Sequence, residues 1–511
     1  MLCALAVYYI CPQKYRWIIL LAANVVFYAF GGVQYMLYIL AAIVISYFAA
    51  LYFQKLHDEQ KALAENMERA EKKELRARMT KQRKKVLVPA MLAVLGFLAV
   101  VKYSGFFMQN IASLAHLLGS SAEITPVKIT APLGMSYYTF TVIAYLMDVY
   151  RGNAKAQKNF AKYALYISFF PQMTMGPIVR YKDVAHQLYE GSKLNFDNLR
   201  FGAQLILWGL FKKLVLGDRI ALLVNTVYGN YEDYSGLIFV FATLLYSIQI
   251  YADFSGYMDI ARGCAQMFGI TLPENFLRPY FSRTMPEFWR RWHATLGSFF
   301  KDYVFYPVSV APWSIKLNQF CRKKFGNEAG RIVSICIPVL AVWFLTGLWH
   351  GASWRFIFWG LFHGLMIMLS SIFTPLNEKI TKKLNIKTDN FSWHLFQSLR
   401  TFFICGVGRV FFCSGSIRIA FSVFARIFTS MEGGLNIMNL GITKRDYIII
   451  IAASLALLLV SALQEKHGNV RELIAKQNLV FRWAIWLVLL FAVILFGQFG
   501  VSSNTGIYEQ F

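Results

Sequence analysis

Apolar residues run along this chain in long uninterrupted blocks, not in the alternating or one-faced patterns of water-soluble elements. A membrane-crossing helix needs about twenty such residues. By that measure crossings are predicted near Tyr15–Phe30, Met36–Phe53, Val86–Phe107, Pro132–Val149, Tyr163–Met175, Phe201–Leu216, Gly236–Ala252, Ile332–Trp349 and Arg355–Ile372. Leu399–Phe412, Ile417–Phe428, Tyr447–Leu463 and Val480–Phe499 follow in the last third. Several blocks are shorter than a full span and suit re-entrant or interfacial helices, so about ten to twelve crossings are expected. Met1 to Ile10 is too short to cross, and it lacks the basic start and small-residue cleavage site of a signal peptide. No period of 20–50 residues repeats, which excludes a solenoid or propeller. The expected class is an all-α polytopic membrane protein, forming one integral membrane domain over residues 1–511.

Two stretches break the apolar pattern. Residues 54–85 are densely charged and end in Lys81-Gln82-Arg83-Lys84-Lys85, which predicts a solvated helix on the cytoplasmic membrane surface. Residues 273–307 interleave aromatic rings with Arg278, Arg283, Arg290, Arg291 and Lys301, and four prolines punctuate them. Irregular polar backbone survives at membrane depth only where protein or a water-filled cavity surrounds it. An interfacial or re-entrant element is therefore expected there, forming a wall of a site.

Composition agrees with a lipid environment: 57% of residues are hydrophobic and 15% charged, against about 25% charged in soluble domains. The net charge of +25 does not indicate nucleic acid, because the basic residues border the apolar blocks, where cytoplasmic loops carry them. A cationic face of that kind attracts anionic lipid headgroups and phosphate-bearing donors. Seven cysteines in no close pair give neither a metal nor a disulfide framework. The chain has no phosphate-cradling GxxxxGK[ST] loop, no GxSxG elbow, no HExxH and no GxGxxG. Any activated donor must therefore be made elsewhere.

The stretch richest in chemistry is Leu345-Thr346-Gly347-Leu348-Trp349-His350-Gly351-Ala352-Ser353-Trp354. A histidine in an apolar setting is more often a satisfied core residue, yet ionisable groups inside a membrane are costly and mark functional sites. An ordinary imidazole can take a proton from a hydroxyl near neutral pH. Gly347 and Gly351 have the spacing of close helix packing, and both readings can hold together. Gly360-Leu361-Phe362-His363-Gly364 repeats part of the pattern. On one straight helix, thirteen residues place His363 about 20 Å from His350, which argues for a structural role.

These motifs resemble the membrane-bound O-acyltransferase (MBOAT) family, in its bacterial branch for alginate O-acetylation and similar polymer acylation. The resemblance runs along nearly the whole chain. It takes in Pro132-Leu133-Gly134-Met135-Ser136-Tyr137-Tyr138-Thr139-Phe140, Asp148-Val149-Tyr150-Arg151-Gly152, Phe169-Phe170-Pro171-Gln172 and Gly176-Pro177-Ile178-Val179-Arg180-Tyr181. Gly209-Leu210-Phe211-Lys212-Lys213, Tyr251 through Asp259 and Pro273 through Tyr280 follow. Glu287-Phe288-Trp289-Arg290-Arg291-Trp292-His293 and the closing Ile507-Tyr508-Glu509-Gln510-Phe511 complete it.

The resemblance implies a ring of tilted helices around a central tunnel that joins the two membrane faces. It implies that His350 is the catalytic histidine and that His293 supports it, by orienting the donor or stabilising an oxyanion. It further implies a cytoplasmic thioester donor, acetyl-coenzyme A or an acyl carrier, with no tightly bound cofactor or metal. The implied location is the bacterial cytoplasmic membrane, with a polysaccharide acceptor and an extracytoplasmic SGNH-like acyltransferase as partners. Arg180, Arg290 and Arg291 are candidates for binding the donor's phosphates, with interfacial anchoring as their alternative. Asp259 is expected to pair with Arg262 one helical turn on. D-alanyl transfer to teichoic acid from a carrier protein is the neighbouring alternative. A polysaccharide or lipid transporter is the alternative of another class, opposed by the lack of a visible inverted repeat.

Overall fold

The computed structural model describes residues 1–119, 129–430 and 436–499; the closing Ile507–Phe511 motif lies outside them. Among the described residues the secondary structure is helical, and the one β-type contact is an isolated bridge between Phe276 and Trp292. Among the described residues, eight helices are long and apolar enough to cross a membrane: Val33–Ala64, Arg69–Leu117, Gly236–Met267, Asn327–His350, Trp354–Lys383, Phe391–Cys413, Lys444–His467 and Leu479–Phe496. Ile448, Ile451, Leu455, Leu458 and Leu459 stand exposed along one of them, an apolar stripe suited to lipid. The chain is thus an all-α, multi-pass membrane protein. The other predicted crossings form shorter helices, among them Arg16–Phe30, Met135–Arg151, Phe160–Ile167 and Ile417–Thr429. Glycine, proline and polar residues end these helices before they reach a full span.

The chain divides into two compact units, Met1–Ala203 with Ala261–Pro273, and Gln204–Ile260 with Glu274–Phe511. In the first unit the helix Met135–Arg151 is buried almost throughout. Gly134, at φ 69°, leads into it and lies so close to the Met173 carbonyl that a Cβ would sit 2.3 Å from the oxygen. Residues 54–85 form a hairpin rather than one helix. The helix Met36–Ala64 and the helix Arg69–Leu117 extend past their apolar portions and meet at a turn over 65–68. Glu68 and Glu71 satisfy the first free N–H groups of the second helix through a reciprocal capping box. Leu56, Leu75 and Met79 pack between the two arms.

In the second unit the helices Asn327–His350 and Trp354–Lys383 form an antiparallel hairpin broken at Gly351-Ala352-Ser353. The break follows from Gly351, which is extended, and from Ser353, which occupies the N-cap position of the next helix. The straight helix assumed above for His350 and His363 is therefore not formed. Gly360 makes the hairpin possible: a Cβ there would meet the Trp343 carbonyl oxygen at 2.3 Å and the Gly347 Cα at 3.0 Å. Residues 274–309 fold as short pieces, with the helices Met285–Arg291 and Ala294–Phe300 meeting at His293. Phe288, Trp292 and Phe299 are buried, so this segment contributes to the interior of its unit.

Candidate active site

His350 is the last residue of its helix and is 4% exposed. Its ring lies 4.7 Å from Trp359, 5.3 Å from Phe412 and 4.6 Å from Trp349, centroid to centroid. The helix ends here, so its unsatisfied carbonyls place partial negative charge beside any imidazolium that forms. Aromatic walls exclude water and hold the ring in place. The arrangement suits a base that becomes cationic only during reaction.

His293 comes to the same region through Trp349, whose ring is 5.9 Å from it. Its backbone is left-handed, at φ 48°, an uncommon conformation for a residue other than glycine, and one that clusters at functional sites. Asn275 holds it there. The side-chain oxygen of Asn275 accepts from the Thr295 N–H at 3.0 Å and the Thr295 hydroxyl at 2.9 Å, which identifies that atom as oxygen. The ring nitrogen Nδ1 of His293, 3.1 Å from the same oxygen, must therefore donate. Fixing the proton on Nδ1 leaves Nε2 with its lone pair. Burial pushes the His293 imidazole down to about 3, so the ring is a neutral hydrogen-bond acceptor.

His363 also belongs to this neighbourhood. Its ring is 5.0 Å from Trp359, the indole that touches His350 on another side, and 4.7 Å from Trp289. The hairpin break brings both histidines to one tryptophan, which a reading of residue spacing along a single helix excludes. The repeated Gly-x-x-His-Gly pattern carries a signal of this proximity that a straight helix conceals.

The arginines separate. Arg291 is committed to two carboxylates, Glu287 at 2.8 Å and Glu465 at 2.8 Å, and Arg278 shares Glu465 at 2.7 Å. Arg290 is exposed and has no ion-pair partner among the described residues. Arg180 precedes the helix Tyr181–Glu190 in the first unit.

The acids Asp253 and Asp259 are joined to consecutive lysines. Lys213 meets Asp253 at 2.8 Å and also Asp218, while Lys212 meets Asp259 at 2.7 Å and donates to Ser255 at 2.8 Å. A π-helical stretch over Phe211–Gly217 places the two neighbouring lysines against one helix. Their side chains are at most 13% exposed. Replacing Lys213 with methionine leaves buried carboxylates uncompensated, a change that costs about 3–5 kcal/mol. The expected result is loss of folded protein, read as a lower midpoint of thermal unfolding in detergent. An unchanged midpoint would assign the pair a role outside stability.

Comparison with known proteins gives the chain a family. The model of the MBOAT, membrane-bound O-acyltransferase family matches residues 153–417. The chain is 28% identical over 435 residues to the "Probable alginate O-acetylase AlgI" of Pseudomonas syringae pv. tomato, covering 85% of this chain and 74% of that protein. It is 30% identical over 389 residues to a peptidoglycan O-acetyltransferase of Helicobacter pylori, covering 71% and 65% of the two chains. A teichoic acid D-alanyltransferase of Bacillus subtilis is 30% identical over 265 residues, 50% of this chain and 62% of that protein. A buried histidine that ends an apolar helix, set in a polytopic helical chain whose matched region includes both His293 and His350, thus has a family: this protein is a membrane-bound O-acyltransferase.

Proposed function

We propose that the protein moves an acetyl group from a cytoplasmic thioester donor across the bacterial cytoplasmic membrane toward hydroxyl groups of an exported or cell-wall polysaccharide, with His350 as general base. The carrying observation is the His350 imidazole, buried at a helix C-terminus among aromatic rings. In the reaction the acceptor hydroxyl gives its proton to His350 as its oxygen attacks the thioester carbonyl. The C–O bond forms, the tetrahedral oxyanion collapses, the C–S bond breaks, and the imidazolium proton leaves with the thiolate. A thioester is already activated, so a positioned base supplies much of the help, typically about 10²–10⁴-fold.

His293 has the orienting one of its two expected roles. A neutral ring whose N–H is given to Asn275 offers only a lone pair, which accepts an amide N–H of the donor but cannot stabilise an oxyanion. Arg290 is the arginine we assign to the donor's phosphates, because Arg291 is held by carboxylates. Acetyl as the transferred group is supported by the alginate and peptidoglycan O-acetylating relatives, which match more of the chain than the D-alanyltransferase does. An extracytoplasmic SGNH-like acyltransferase would complete delivery to the polymer.

The test compares ester-linked acetate and ester-linked D-alanine on the cell-surface polymer in cells with and without the gene. Loss of acetate alone is expected. Loss of D-alanine alone would replace the acyl group in this reading, and an unchanged polymer would overturn it.

A further inference from the structure

Behind the wall formed by Trp359 and Phe412, on which His350 rests, lies a small cavity of about 20 Å³. That is room for roughly one water molecule or a group of similar size. His363 and Arg409 are its strongly polar lining residues, and none of its lining residues is acidic. Arg409 lies near the end of the apolar helix Phe391–Cys413 and is 5% exposed. Its guanidinium donates to the Ser247 hydroxyl at 2.6 Å and to the Tyr280 hydroxyl at 3.3 Å. It sits 5.3 Å from the Tyr280 ring centroid and 5.4 Å from that of Phe402.

Both hydroxyls give their own protons to backbone carbonyls, Ser247 to Thr243 and Tyr280 to Ser247, so toward Arg409 they act only as acceptors. No carboxylate among the described residues forms an ion pair with Arg409. A guanidinium stays charged in proteins, and at this depth a buried cation is normally paired with an anion. Here neutral dipoles and aromatic faces support it instead, so the cavity keeps a net positive field. His363 adds a polar edge without adding negative charge; its Nδ1 has no hydrogen-bond partner among the described residues.

We propose that Arg409 is a charge filter for the transferred acyl group: its field, acting across the Trp359–Phe412 wall, leaves a small uncharged acyl such as acetyl unaffected beside His350 and disfavours an acyl that carries an α-ammonium group. The inference rests on His350 being the base of acyl transfer. The reacting carbonyl then lies against His350, and its substituent lies next to the wall that His350 shares with the Arg409 cavity. A methyl group meets no electrostatic penalty there. An ammonium on the carbon next to the carbonyl meets a like charge in a medium of low dielectric. At an intermediate effective dielectric, that repulsion corresponds to about a 10- to 100-fold loss of rate. Specificity of this kind is built by placing a repulsive element against the wrong substrate.

The experiment supplies the full-length protein in lipid nanodiscs with acetyl-, glycolyl- and glycyl-coenzyme A, each together with a hydroxyl-bearing oligosaccharide as the acyl acceptor. Release of the free thiol is read, counting only the part lost in a His350→Ala control. Glycolyl and glycyl are nearly equal in size and differ in charge when the amine is protonated, at about pH 6.5. The wild type is expected to use glycolyl about 10- to 100-fold faster than glycyl. Arg409→Gln should narrow that ratio towards one, and Arg409→Lys should keep it. Equal use of the two by an enzyme active on acetyl-coenzyme A would overturn the filter alone. So would a ratio unchanged in Arg409→Gln. Where that variant fails to accumulate, the wild-type ratio decides. No His350-dependent thiol release from any of the three would overturn the proposed reaction and the filter together.

Discussion

Acyl transfer by a His350→Ala variant is expected to fall by about 10²–10⁴-fold, the usual contribution of a general base. The reason is that neither neighbouring imidazole can replace it. His293 is held as a neutral acceptor by Asn275, and burial keeps it so weakly basic that it cannot carry the proton. His363 touches a different side of Trp359 and contributes to the cavity behind that indole. Because the His350 ring is packed among Trp349, Trp359 and Phe412, alanine also leaves a void. His350→Gln therefore belongs beside it, since glutamine restores part of the volume and hydrogen bonding without supplying a base. Both variants should accumulate in membranes at a level that permits a rate per molecule. A well-folded glutamine variant within a few-fold of wild type would remove His350 from the chemistry.

The second large effect concerns Asn275. Changing it to aspartate preserves shape and still accepts from Thr295, but it sets a carboxylate 3.1 Å from the His293 nitrogen. A nearby anion favours imidazolium, so the value held near 3 by burial rises in the variant. The sign follows directly. As pH falls through the raised value the ring gains a proton on Nε2, which then donates instead of accepting and can no longer hold an amide N–H of the donor. Starting near 3 and lifted by one adjacent carboxylate, the ring titrates on the acid side, so the Asn275→Asp rate should drop by about tenfold between about pH 7 and about pH 4, relative to the wild-type profile. Parallel profiles for variant and wild type would mean that the protonation state of His293 plays no part in orienting the donor. A purely structural role for Asn275 would lower the rate equally at every pH.

The helical class was legible because it rests on a local property, long apolar blocks; His350 stands out as an ionisable residue at the end of such a block, whereas His293 enters only through the family resemblance. What was not legible depends on how helices break. Gly351-Ala352-Ser353 reads as an ordinary glycine-containing stretch, and only the hairpin reveals that His350 and His363 share Trp359. Lys212 and Lys213 were visible in a motif, yet the π-helical stretch that joins them to Asp259 and Asp253 has no clear residue signature. Arg409 does not stand out within Leu399–Phe412, because a single arginine near the end of an apolar run looks like a residue reaching for the headgroups. In residues 54–85 charge and helix-favouring composition are legible, but the turn over 65–68 contains neither glycine nor proline to announce it.

That hairpin has a practical consequence. The helix Arg69–Leu117 has 49 residues, about 70 Å of rise, against roughly 30 Å of hydrocarbon. The surplus carries most of its charge ahead of Pro89 and is zipped to its neighbour by Leu56, Leu75 and Met79. A protein whose mass lies mainly within a detergent or lipid belt offers particle images few features to align. The paired arms, charged over most of their length, give a landmark of protein rather than lipid-facing character, and their tip at 65–68 is a natural place to graft an epitope or a rigid fusion for electron microscopy.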